Sequence, residues 1–101
     1  MPPVRARLVT IVTHHIAEER VAAALHTLGA RGYTALKARG SGVHGHHDSG
    51  LASSGNDTFL VIVTAEVAAK ILEWVETDLA KLHPSVAFAC DVDAVPSGHV
   101  P

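Results

Sequence analysis

Two stretches of this chain could do chemistry by residue type and spacing. The first is His44-Gly45-His46-His47-Asp48, three imidazoles and a carboxylate within five residues, in a chain with eight histidines. Imidazole nitrogens and carboxylate oxygens suit zinc, nickel or copper. A loop that wraps a metal loses conformational entropy in doing so, and no cysteine stands nearby as a further ligand. The cluster could also register protonation. A solvated polar loop is the plainer alternative. The second stretch is Lys37-Ala38-Arg39-Gly40-Ser41-Gly42. Glycines at alternate positions let a backbone bend tightly and bring its N–H groups close to an anion. Lys37 and Arg39 flank that turn and could add charge-assisted bonds to phosphate. The plainer alternative here is a tight strand exit with a solvated basic pair, because a glycine pair alone is a weak motif.

The remaining polar residues read as structural. His14-His15 lies at a strand-to-helix turn and suits a helix start with one ring packed. His26 suits a helix surface, and His83 follows a helix whose C-terminal dipole it favours. Trp74 falls on a helical stripe as core or rim. Cys90 alternates with Phe88 and Val92 and is expected to be buried and inert. Glu73, Glu76 and Asp78 suit a solvated helix face. There is no Ser-His-Asp or Cys-His arrangement and no P-loop pattern, so the chain is not read as an enzyme.

These residues need elements to hold them. Leu8 to Thr13 is rich in β-branched residues and predicts a strand. Ala17, Val21, Ala24, Leu25 and Leu28 then recur at helical spacing, with acids in the first turn and Gly29 as the C-terminal cap. Gly32 to Ala38 predicts a second strand. Gly40 to Asp57 has five glycines, four serines and few apolar residues; a connection this long is usually functional or mobile. Thr58 to Val63 is the clearest strand, and Thr64 can cap the helix after it. Val67, Ile71, Trp74, Val75, Leu79 and Leu82 stripe that helix until Pro84 stops it. Val86 to Val92 is the last strand, and a Pro/Gly tail covers 96–101.

The order is β-α-β-β-α-β. It predicts an α+β, ferredoxin-like domain: a four-stranded antiparallel sheet, two helices on one face, and a long loop between strands 2 and 3. A sheet covered on one face should alternate apolar and polar residues. Phe59 to Val63 is apolar throughout, and apolar residues point both ways in the first strand. The face without helices therefore needs another partner, and a second copy of the chain is the simplest one.

Bulk properties narrow the function. At 101 residues the chain predicts one domain. A net charge of -2 and aromatics at 4% leave no basic footprint and few stacking platforms for nucleic acid. The single cysteine excludes an internal disulfide and fits a reducing compartment. No apolar run reaches the roughly 20 residues of a membrane span. Leu8 to Val12 is too short for a secretion signal, so a cytoplasmic protein without membrane insertion is expected. The sequon Asn56-Asp57-Thr58 is then a chance match.

The segment Gly29-Ala30-Arg31-Gly32-Tyr33-Thr34-Ala35-Leu36-Lys37-Ala38-Arg39-Gly40-Ser41-Gly42 resembles that of PII signalling proteins: a glycine turn into the second strand, then a glycine pair opening the flexible T-loop, here about 40–57. The resemblance covers Arg7 to about Val95. A glycine-rich phosphate loop after the second helix, present in nitrogen-sensing members, has no counterpart, because Leu82-His83-Pro84-Ser85-Val86 leads straight into the last strand. The ending Val86 to Val95 is instead similar to SbtB-like and carboxysome-associated PII proteins. That resemblance implies a homotrimer with adenine-nucleotide sites between neighbouring subunits. ADP, AMP or ATP would be an effector rather than a tightly bound cofactor, with bicarbonate as a further ligand. The implied protein partner belongs to inorganic-carbon uptake, such as a bicarbonate transporter or a carboxysome component. The nucleotide-binding residues expected are Thr34, Lys37, Arg39, Gly40, Ser41, Gly42, Val43, His44, Thr64, Phe88 and Ala89. Val43 and His44 stand where SbtB-like chains often carry Ser-Arg or a similar basic residue that contacts phosphate, the C-terminal cysteine pair of some members is missing, and the modified T-loop tyrosine has no equivalent. The alternative is a metal-responsive, CutA-like protein that uses His44, His46, His47 and Asp48.

Overall fold

The computed structural model describes residues 3–40 and 55–95. Its central strand, β1 (Val4–His14), pairs antiparallel with β3 (Asn56–Val63) on one side and β4 (Ser85–Ala94) on the other. β2 (Thr34–Ala38) pairs antiparallel with β3, so the order across the sheet is β2-β3-β1-β4. A 3-10 turn (His15–Ala17) leads from β1 into α1 (Glu18–Leu28). α2 (Ala65–Trp74) runs on through a π turn (Val75–Leu79) into a last helical turn (Ala80–Leu82). This is the α+β, ferredoxin-like βαββαβ arrangement that the sequence predicts.

One sheet face makes the core. Val9 and Ile11 of β1 and Phe59, Val61 and Val63 of β3 pack with Val21 and Leu25 of α1 and with Ile71, Val75 and Leu79 from the second helix. Both helices therefore cover the same face. Gly29 ends α1 at φ 112°, and Gly29 N–H and Ala30 N–H donate to the carbonyls of His26 and Leu25 at 3.2 and 2.9 Å. A left-handed backbone here suits glycine, and a Cβ would also lie 3.3 Å from Val67 Cγ2. Gly29→Ala should therefore cost about 1–3 kcal/mol. Thermal melts would show this as a fall of about 4–8 °C per kcal/mol.

Five expectations need correction. β1 starts at Val4 rather than Leu8, because Arg5 and Arg7 lie in register opposite Asp93 and Asp91 and pair with them at 3.1 and 2.9 Å. β4 accordingly reaches Ala94 rather than stopping at Val92. β2 starts at Thr34 rather than Gly32, and β3 starts at Asn56, which removes Asn56 and Asp57 from the long connection. Cys90 is exposed rather than buried. It does alternate with Phe88 and Val92, but that stripe lies on the sheet face that the helices leave bare.

That outer face is apolar. Leu36 of β2, Ile62 of β3, and Val86 and Phe88 of β4 are all large hydrophobics left exposed to solvent. Leu8, Thr10 and Val12 lie between them on β1, paired with Ile62 and Cys90, Leu60 and Phe88, and Thr58 and Val86. The missing alternation in the sequence thus corresponds to a sheet with one covered and one bare apolar face.

Candidate functional site

The predicted nucleotide residues divide by sheet edge and by face. Thr34 opens β2 and stands opposite Leu60, so it shares the outer face with Ile62 and Leu36. Lys37 stands opposite Asp57 on the helix-covered face. Arg39 and Gly40 follow the end of β2, both exposed. Thr34 and Gly40 lie at opposite ends of this edge, six residues or about 20 Å apart along an extended chain. Among the described residues nothing lies within 4 Å of where a Cβ at Gly40 would stand, and its φ is not in the left-handed region. Thr64 follows β3 at the Thr34 end, where its hydroxyl accepts from Val67 N–H at 3.2 Å and caps α2.

Phe88 and Ala89 belong to β4, the other edge of the sheet. The Phe88 ring is exposed on the outer face, whereas Ala89 packs against the core. Three strand spacings, about 14 Å, separate β4 from β2. Within one protomer Phe88 and Thr34 are therefore too far apart to contact the same group of a ligand. Ser41, Gly42, Val43, His44, His46, His47 and Asp48 lie outside the described residues, so the loop part of the nucleotide site and the alternative metal cluster both fall there. The direct passage from Leu82 to β4 is present: His83 and Pro84 alone separate the helical turn from Ser85.

One constellation has no precursor in the sequence reading. Asp57, the second residue of β3, is only 4% exposed. It stands in register opposite Thr13. The chain past Thr13 enters the 3-10 turn, where His15 N–H donates to Gly55 C=O at 3.0 Å. This places His15 Nδ1 3.0 Å from Asp57 Oδ2 and 3.8 Å from Glu18 Oε1. Lys37 Nζ approaches the other oxygen of Asp57, Oδ1, at 4.0 Å. His14, the other half of the pair, accepts from Ile16 N–H at its Nδ1 and stacks on His83, with ring centroids 6.4 Å apart. Asp57 carried no local signal, because it sits at the end of a polar, glycine-rich run. The strand pairing that buries it is a long-range effect.

Among the described residues no helix is long and apolar enough to cross a membrane. The family model described as "Nitrogen regulatory protein P-II" matches residues 6–98. No protein of curated function matches the chain. Among solved structures, a PII-like signaling protein from Thermus thermophilus is 32% identical, with a TM-score of 0.80 and 94% of each chain covered. CPII, a nitrogen regulatory PII-like protein from Thiomonas intermedia bound to ADP, AMP and bicarbonate, superposes with a TM-score of 0.78 at 21% identity, over 91% of this chain and 90% of that one. The B. subtilis GlnK-ATP complex gives 0.66 at 17% identity, over 87% and 82%. The last two show likeness of fold. A match over nearly the whole length and a near relative of the same shape agree with the architecture above: the chain belongs to the P-II family.

Proposed function

We propose that the chain is a PII-like regulator, not an enzyme, whose adenine-nucleotide site is completed only when copies of the chain meet. The observation that carries this reading is the division of its site residues. Thr34, Lys37, Arg39 and Gly40 lie along one sheet edge and Phe88 and Ala89 along the other, with a bare apolar face between them. A second copy seated on that face brings one edge against the other. Family membership supports a homotrimer of single-domain chains, 1–101. The complexes of CPII support ADP and AMP as ligands, with bicarbonate beside them, and the GlnK complex supports ATP. Lys37 and Arg39 would bind phosphate together with the Gly40–His44 turn, Thr34 and Thr64 would lie toward the adenine end, and Phe88 and Ala89 would come from the neighbour. Nucleotide would then set the state of the T-loop, about 40–55, and with it the contact to a protein partner. The SbtB-like ending, together with bicarbonate in the CPII complex, supports a partner in inorganic-carbon uptake, a bicarbonate transporter or a carboxysome component.

Calorimetry with AMP, ADP, ATP and cyclic AMP, each with and without bicarbonate, tests the reading. Heat of binding from at least one is expected, and no heat at millimolar ligand would sink it. The double variant Lys37→Ala, Arg39→Ala should weaken the preferred nucleotide at least about tenfold, since each charge-assisted bond is worth about 1.5–3 kcal/mol. Both side chains are exposed, so its circular dichroism should stay that of the parent.

A further inference from the structure

The geometry points to a divalent transition-metal site, of the zinc class, formed by His15, Glu18 and Asp57. It stands independently of the nucleotide reading. Each residue offers one ligand atom, and the three atoms lie within 4.8 Å of one another. A tetrahedral zinc ion with bonds of about 2.0–2.2 Å holds its ligands about 3.3–3.6 Å apart. The separations of 3.0 Å (His15 to Asp57) and 3.8 Å (His15 to Glu18) bracket that spacing, and Glu18 to Asp57 lies within 4.8 Å, so a rotation that draws the Glu18 side chain inward would admit the ion.

The burial of Asp57 distinguishes this group from a surface cluster of acids. A carboxylate that is 4% exposed needs compensation for lost hydration. It has His15 on Oδ2 at hydrogen-bond distance and the Lys37 ammonium 4.0 Å from Oδ1. With an uncharged imidazole, two carboxylates face one ammonium, and the group has room for further positive charge. Lys37 approaches the oxygen that His15 leaves free, so a cation at Oδ2 need not displace it. To ligate through Nδ1, His15 would give up the Nδ1 proton that it donates to Asp57 Oδ2, the neutral ring then carrying its one proton on Nε2, so binding would exchange that hydrogen bond for two bonds to the ion. One nitrogen and two oxygen donors suit Zn2+, or Ni2+ and Cu2+, better than Mg2+ or Ca2+, which prefer all-oxygen shells. Three protein ligands leave a fourth position for water or an anion.

The position gives such an ion a structural consequence. It would join the 3-10 turn after β1 and the start of α1 to the start of β3. Asp57 also contacts Lys37 at the end of β2, so the ion would bear on both strands that flank the long connection.

Equilibrium dialysis of untagged protein against Zn2+ alone, in a non-coordinating buffer, tests this. Wild type should bind with one ion per chain dependent on this cluster. His15→Ala should weaken that ion at least about tenfold, and Glu18→Gln should weaken it in the same direction. The triple variant His44→Ala, His46→Ala, His47→Ala should retain it. Co2+ provides a second readout: a tetrahedral visible spectrum in wild type and in the triple variant, absent in His15→Ala. Glu18 is half-buried at the helix start and outside the core, so its variant keeps the test valid if His15→Ala folds poorly. No Zn2+ uptake by wild type, unchanged uptake by His15→Ala, or loss of the ion in the triple variant would each overturn the proposal.

Discussion

Phe88→Asp is expected to leave the protein folded but monomeric. The Phe88 ring is 54% exposed on the outer face of β4, with Leu36 and Ile62 exposed on the same face at 51% and 43%. In an isolated protomer a carboxylate there stays in water, and exposed substitutions of this kind usually change stability by about 0.5 kcal/mol or less. In an assembly the same carboxylate would be buried against apolar side chains. Burying a charge without a partner costs several kcal/mol or more. The substitution therefore separates assembly from folding. Sedimentation velocity should show wild type as one assembled species and Phe88→Asp as a slower one of single-chain mass, with matching far-UV circular dichroism. Cys90 shares this face, so the neighbouring copy, and not the chain's own helices, would be what buries it.

Phe59→Ala should have the largest effect on stability. Phe59 is the largest fully buried side chain, at the centre of β3. It packs against the core beneath both helices, and Tyr33 lies against its ring, with centroids 5.5 Å apart. Truncating a buried phenylalanine costs about 3–5 kcal/mol through lost transfer energy and the cavity left behind. That is a large share of the roughly 5–15 kcal/mol that holds a domain folded. Urea denaturation should show the midpoint falling steeply with little change in slope. A fall below about 1 kcal/mol would mean that this face of β3 is not the core.

The fold was legible because it is written in local pattern. β-Branched runs and helical stripes alternate in the order of the elements, Gly29 and Thr64 mark a helix end and a helix start, and the all-apolar run Phe59 to Val63 reveals that both sheet faces are apolar. Strand ends were less legible. Arg5, Arg7, Asp91 and Asp93 have weak strand propensity one by one, and only their cross-strand pairing, more than eighty residues apart in sequence, extends β1 and β4. The same limit hid the cluster at Asp57. Its partners His15 and Lys37 come from other strands and a turn, so no window of sequence contains the group. Cys90 alternates with Phe88 and Val92 as expected, yet it is exposed, because periodicity says which residues share a side and not which side is covered.

Binding of labelled ADP to wild type and to Val86→Asp, which places the same charge on the bare outer face without touching a residue named in the nucleotide site, measured side by side by equilibrium dialysis, tests most directly whether the pocket belongs to the assembly. The account predicts about one nucleotide per assembled chain and almost none on the separated one, whose Lys37, Arg39 and Gly40 are untouched. Equal occupancy of both proteins would place the pocket inside a single chain and contradict it.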